Sequence, residues 1–394
     1  MRKTLFLCWL VTLGLSAMAQ IDATDQNWRL VFEDDFSTPG RYWNARYRDL
    51  PLNKWAAYSI GSGVTHGAHE HQVYQRSQCV FDMSDSTMNL VANYVGGPLT
   101  ENLCELPGGS HFRNEDTTLF YLSGMLDSYD TYHQMDKFLY GYFEIKCKLP
   151  VHRGAFPAFW LWGNGIPSDR HYEEIDIFEY SWRITDSIEN HSSSVDFGSS
   201  RYFSTGIHFN PNTTDYDWRD TFARVYHTIP IEEPDLSDWN VFGCEWSPGT
   251  VTWYFNGQII KEYKVADNVP YLPMRLKTNY AMDDYAFQNP FDVHHNDVPI
   301  WQGTDSLKID YIRVYQLLWD CDNNKYITAQ DEFDTFDYSV KKNIIITPNS
   351  SGININDPIQ VNLKATESIE INGEFVLPTN SSLVIYNCPT ITIE

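Results

Sequence analysis

Three acids interleaved with apolar residues, Glu174-Ile-Asp-Ile-Phe-Glu179, are the stretch of this chain whose residue types and spacing could carry chemistry. Side chains alternate between the two faces of a strand, so Glu174 and Asp176 share one face while Ile175 and Ile177 share the other. Glu179 breaks that parity and would point into the core, where an unpaired carboxylate is costly; one β-bulge at Ile177-Phe178 returns it to the acidic face. Glu174 and Glu179 then sit roughly 13 Å apart at Cα, four steps of ~3.3 Å, and leaning side chains could close this to the ~5 Å at which one carboxylate attacks a sugar carbon while the other donates a proton. The plainer alternative is a solvated acidic strand face. The apolar residues between the acids, and the aromatic run Phe156-Pro-Ala-Phe-Trp-Leu-Trp162 just upstream, argue against it.

The elements around the acids read as short strands punctuated by Gly, Asn, Asp and Pro, with hardly any helical periodicity, which is the pattern of an all-β sandwich. Strands are expected over 87–94, 140–148, 174–180, 241–246 and 251–256, with a hairpin turn at Asn256-Gly257. Aromatic residues make up 15% of the 394 residues, including 13 Trp and 25 Tyr, enough to fill a large core and to stack sugar rings. A net charge of -24 disfavours nucleic acid and anionic membrane surfaces as partners, and weakly disfavours a highly sulfated polymer. No cysteine pair has metal-site spacing. Cys147, alternating with Phe143 and Ile145, reads as a buried thiol; Cys79 with Cys104 and Cys321 with Cys388 are disulfide candidates.

Residues 174–179 resemble the active-site signature of glycoside hydrolase family 16, in the six-residue bulged form of laminarinases, agarases and carrageenases. Leu30–Phe36, Tyr140–Pro150, Phe156–Trp160, Phe242–Pro248, Trp253–Gly257 and Ile309–Tyr315 resemble further segments of that family, in order, over residues 28–316. The resemblance implies a β-jelly-roll sandwich with a concave, open substrate cleft and endo-acting cleavage of a polysaccharide with retention. It implies Glu174 as nucleophile, Glu179 as acid/base and Asp176 as the assisting carboxylate, with Glu179 raised in pKa by burial and by Asp176. Trp160 would stack a sugar, His208 would face the acid/base, and Asn279 would face the cleft; core packing serves Trp160 and His208 as an alternative. Trp162, Trp182 and Trp218 could line outer subsites. No catalytic cofactor is implied, and a structural calcium would use Asp35 and Asp310.

Departures bear on the substrate. Laminarinases carry a Trp and paired Asn before a Glu where this chain has His66-Gly-Ala-His-Glu70, and Trp-Pro where it has Phe156-Pro157; Gly108-Gly109 and 215–220 look like cleft-edge insertions. A β-1,3- or mixed β-1,3-1,4-glucan is the expected substrate. A red-algal galactan, or a catalytically silent carbohydrate-binding role, is the alternative.

At the start, a basic Met1-Arg-Lys, an apolar run from Leu5 to Leu15 and Ala17-Met-Ala19 read as a secretory signal peptide over 1–19. A secreted or periplasmic monomer with no membrane insertion is therefore expected. A catalytic domain is expected over 20–318. Residues 319–394 read as an acidic linker followed by a small β-rich module.

Overall fold

A computed structural model describes residues 28–37, 55, 70–96, 120–128, 137–152, 154–164, 172–180, 200–210, 221–230, 232–265, 268–283, 301–336, 339–354, 360–376 and 382–387. The signal-peptide residues, Trp182, Trp218, Cys104, Cys388, His66 to His69 and the two loop insertions lie outside them. Among the described residues, no helix is long and apolar enough to cross a membrane.

Two sheets, antiparallel except where Gln72–Tyr74 runs parallel to Tyr121–Ser123, face each other across one hydrophobic core; the strand pattern implied a sandwich, and the family resemblance a jelly roll. One sheet runs Gln258–Tyr263, Thr250–Phe255, Asn240–Ser247, Gly141–Lys148, Thr304–Leu317, Thr87–Tyr94, Tyr121–Ser123 and Gln72–Tyr74. The other, which carries the acids, runs Thr221–Thr228, Tyr202–Asn210, Tyr172–Glu179, Ala155–Asn164, Met274–Met282 and Met125–Asp127. Its order is set by apolar residues on one parity: Ile175, Ile177, Phe159, Leu161, Ile207 and Leu276 all point into the core. Cys147 is fully buried in the facing sheet, as its alternation with Phe143 and Ile145 requires.

Turn chemistry fixes the register. Asn256 and Gly257 both adopt positive φ, 46° and 82°, the conformation that joins two strands in a two-residue hairpin. At Gly141, φ is 140° and an added Cβ would lie 2.6 Å from the Tyr315 carbonyl oxygen, so a side chain there would separate Gly141–Lys148 from Thr304–Leu317.

The acidic passage after 318 is not a linker. Trp319–Ile327 is a strand, and it starts a parallel stack that continues through Val340–Ile346, Gln360–Ile371 and Ser382–Asn387. Gln360–Ile371 is one continuous strand. Successive rungs align Ile327 with Ile346 and Ile346 with Ile371, and a second small sheet aligns Ile353 with Phe375, so each rung buries its apolar residues on the next. A polar ladder runs beside this core: Asn343 Nδ2 donates to Asn324 Oδ1 at 2.9 Å, and Ser368 Oγ donates to Asn343 Oδ1 at 2.7 Å. The Asp and Asn residues that read as linker are the solvent side of a stacked strand. Trp319 also packs on Tyr140 of the sandwich, with ring centroids 5.9 Å apart.

Neither Cys79 nor Cys321 forms the expected disulfide; both are free thiols. Cys79 is buried on Cys79–Asp82, and its Sγ lies 3.5 Å from the Met125 carbonyl oxygen.

Candidate active site

The acid strand, Tyr172–Glu179, carries the bulge that its sequence parity demands. Its partners pass from Asp176 opposite Gly206 to Glu179 opposite Ser204, three residues against two, and from Asp176 opposite Trp160 to Phe178 opposite Phe159, two against one. Ile177 and Phe178 are therefore both buried, and Glu174, Asp176 and Glu179 share the outer face. The displaced backbone is held from the opposite sheet: the fully buried Trp253 donates its indole N–H to the Asp176 carbonyl oxygen at 2.9 Å. Glu173, on the core parity, accepts the Leu272 amide at 3.0 Å.

The three carboxyls differ in burial. Side-chain exposure is 14% for Glu174 and 13% for Glu179, against 2% for Asp176. Burial, and then the charge of Glu179, holds the Asp176 carboxyl well above the usual carboxylate range, while Arg224 and a hydrogen bond with Glu174 pull it back. Asp176 carries the raised carboxyl because it is the enclosed member of the trio.

His208 stands opposite Glu174, not beside the expected Glu179. Its Nε2 is 3.7 Å from Glu174 Oε1 and 3.3 Å from Asp176 Oδ2. The register explains this, since Glu179 pairs with Ser204, four residues further along the same strand.

Trp160 and Trp162 lie opposite Asp176 and Glu174 on Ala155–Asn164. Asn279 is not a free cleft-facing amide: its Oδ1 accepts the Trp160 indole N–H at 2.7 Å and its Nδ2 donates to Tyr74 OH at 2.9 Å. It orients Trp160. Gln72 Nε2 in turn donates to Glu70 Oε2 at 2.6 Å, so Glu70, Gln72 and Tyr74 support the tryptophan from behind.

A cationic cluster lies under the two tryptophans. Lys277 Nζ and Arg275 Nη1 each approach Asp127 Oδ2 at 3.4 Å. Lys277 lies 4.3 Å from the Trp162 ring centre and 4.7 Å from that of Trp160, and the Arg275 guanidinium lies 4.0 Å from Trp162 on its own account. Burial pushes the Lys277 ammonium down to about 7, with Asp127 opposing that shift. The signal for this cluster was available in Arg275-Leu-Lys-Thr-Asn279, where three polar residues alternate as the acids do. Arg224, whose Nη2 is 2.8 Å from Glu179 Oε2, had no such signal.

The two residues that the resemblance offers to a calcium, Asp35 and Asp310, each have protein partners. Asp310 already faces a cation, Lys146 Nζ at 2.7 Å, and Asp35 Oδ1 accepts the Ser37 amide and hydroxyl at 3.1 and 2.7 Å.

The family model for glycosyl hydrolases family 16 matches residues 73–313. An endo-1,3-1,4-beta-glycanase, EglC, of Rhizobium meliloti is 24% identical over 301 residues, covering 73% of this chain and 51% of its own length. The chain thus spans about half of that relative, and 34% of a second Rhizobium meliloti endo-1,3-1,4-beta-glycanase, ExsH. A beta-glucanase of Rhodothermus marinus is 24% identical over 348 residues, covering 80% of this chain and 95% of its own length. Among solved structures, the laminarinase catalytic domain of Thermotoga maritima superposes with a TM-score of 0.51 at 22% identity, covering 74% of this chain and 98% of that domain.

Proposed function

Because the chain belongs to glycosyl hydrolases family 16, we propose that it is an endo-acting, retaining glycoside hydrolase of polysaccharides, with a β-1,3- or mixed β-1,3-1,4-glucan as substrate. The observation that carries the reading is the bulged acid strand, which turns Glu174, Asp176 and Glu179 onto one face beside Trp160 and Trp162.

In the proposed mechanism, Glu174 attacks the anomeric carbon as Glu179 gives a proton to the departing glycosidic oxygen. Glu179 then deprotonates a water that releases the glycosyl-enzyme, with net retention. Asp176 shares a hydrogen bond with Glu174, and His208 Nε2 lies 3.3 Å from Asp176 Oδ2 and 3.7 Å from Glu174 Oε1, so the two hold the Glu174 carboxylate in place for attack. Trp162, partly buried beside the enclosed Trp160 that Asn279 holds, offers a ring to a sugar. The glucan reading draws on the names of the curated relatives and on the acidity of the chain, which suits a neutral polymer better than a sulfated one. The basic, apolar, then small-residue leader supports export of the chain.

The test is release of reducing ends from laminarin, barley β-glucan, agarose, porphyran and κ-carrageenan in parallel, with the products sized. Oligosaccharide ladders from either glucan are expected. Cleavage of galactans without cleavage of glucans would overturn the substrate, and no cleavage of any of the five would overturn the enzyme.

A further inference from the structure

We propose that Arg224 is a positioning residue for the acid/base step, orienting the Glu179 carboxyl and fixing which of its oxygens carries the transferred proton; this rests on Glu179 being the acid/base. Arg224 belongs to Thr221–Thr228, two strands away from the acid strand, and regular pairing would keep the two side chains apart. Two features of the intervening region bring them together.

The first is a second bulge. Thr205 pairs with Val225 but Ile207 pairs with Phe222, so two residues, Ala223 and Arg224, stand against Gly206 alone. Gly206 is also the partner of Asp176, directly before the first bulge. The two bulges are therefore side by side, one on each flank of Tyr202–Asn210, and a bulge re-aims the side chain it carries.

The second is the missing side chain at Gly206. A Cβ there would lie 3.0 Å from Asp176 Oδ2 and 4.0 Å from the Arg224 Cβ, between the carboxyl and the arginine. With only hydrogen at that position, Arg224 spans the strand and its Nη2 reaches Glu179 Oε2 at 2.8 Å.

The chemistry follows from what a guanidinium can do. It donates hydrogen bonds and accepts none, so the Glu179 oxygen that faces it, Oε2, is not the one that carries a proton. The acidic proton is assigned to Oε1, on the other side of the carboxyl. When Glu174 forms its bond to the anomeric carbon and the bond to the glycosidic oxygen breaks, that proton passes from Oε1 to the leaving oxygen. Glu179 is left as a carboxylate already paired with Arg224, the form it needs to take a proton from water in the second step. Among the described residues, the charged groups around Glu179 are Glu174 and Asp176 on its own strand and Arg224; His208, on the strand between, faces the first two.

The experiment compares wild type, Arg224→Met and Arg224→Lys on two substrates: the polysaccharide the wild type cleaves best, and 2,4-dinitrophenyl β-laminaribioside, whose leaving group departs without a proton. Arg224→Met should lose on the order of 10²-fold in kcat/KM on the polysaccharide while staying within about threefold on the aryl glycoside, with Arg224→Lys between wild type and Met on the polysaccharide. Equal losses on both substrates would mean that Arg224 supports the fold, and no loss on either would mean a passive ion pair; both overturn the proposal. Should Arg224→Met not fold, the same divergence is required of Arg224→Lys. A wild type that cleaves neither substrate overturns the reading of Glu179 itself, and the inference with it.

Discussion

On the outer face of the acid-bearing sheet, Tyr172–Glu179, Tyr202–Asn210 and Thr221–Thr228 present Glu174, Asp176, Glu179, His208 and Arg224, whereas Ala155–Asn164, Met274–Met282 and Met125–Asp127 present Trp160, Trp162, Arg275, Lys277, Asn279 and Asp127. The acid half has two breaks in register, one on the acid strand and one on Thr221–Thr228. The tryptophan half runs unbroken from Arg275 opposite Trp162 to Met282 opposite Ala155. A platform needs a flat row of side chains, and plain alternation delivers one. Two carboxyls that must converge on one bond need their strand bent, and the bulge does this at the cost of a displaced backbone that Trp253 must satisfy. Charge is weighted the same way, with three carboxyls to one arginine in the first half and a lysine and an arginine sharing the one carboxyl of Asp127 in the other.

The largest break in this contrast should come from the acid half. Glu174→Gln and Glu179→Gln are each expected to lose at least about 10³-fold in kcat on the polysaccharide. Thermal unfolding of both should stay close to wild type, because neither carboxyl lies in the core. Next is the pin beneath the bulge. Trp253→Phe keeps an aromatic ring and removes the N–H, leaving the Asp176 carbonyl buried without its donor, which should cost about 1–3 kcal/mol in denaturant unfolding. If the pin aims Glu179, activity should also fall roughly 10- to 100-fold; a stability loss with unchanged kcat would show that the bulge holds itself.

Lys277 tests the other half by pH. Its folded value, about 7, lies below the ordinary lysine value of about 10.4, so between these the unfolded chain binds more protons and the stability attached to Lys277 rises with pH. Below pH 7 the cost of burying the charge is fully present. Compared with Lys277→Met, wild type should therefore gain on the order of 4 kcal/mol between pH 6 and pH 10. A constant gap between the two unfolding curves would mean that Asp127 and the tryptophan rings hold the ammonium at its ordinary value.

The smallest effect is expected from the stacked module. Its described seam with the sandwich includes Trp319 on Tyr140 and Lys364 over Trp28 at 4.9 Å, and none of these lies on the acid-bearing sheet. A chain ending at Leu318 should keep activity on soluble substrate within about twofold of the full chain. Failure of that chain to fold would place the module within the sandwich's core.

Much of the acid half is legible in the amino-acid sequence. Alternation assigns the face of Glu174 and Asp176, and the parity of Glu179 requires a bulge at the position where it lies. Arg224 is hidden because its approach depends on Gly206 in a third strand, a coincidence of register that no single stretch records. His208 was expected opposite the wrong glutamate for the same reason: pairing between strands decides which carboxyl a histidine meets. The Arg275, Lys277 and Asn279 alternation is readable as a polar face, but not as a face enclosed under tryptophans. In the last segment, Asp and Asn density suggested a linker because in stacked parallel rungs the solvent side carries the polar residues, and the repeat shows only when Ile346 is set over Ile371.

The central claim is that Glu174 becomes covalently bound to the sugar, and a slow-turnover glycoside shows this directly. The chain would be incubated with 2,4-dinitrophenyl 2-deoxy-2-fluoro-β-laminaribioside, digested, and its peptides mapped by mass spectrometry. One added disaccharide per chain is predicted, on Glu174, with no labelling of Glu174→Gln. Label on Glu179 or Asp176 would reverse the roles of the acids, and an active wild type that never becomes labelled while releasing inverted product would contradict retention itself.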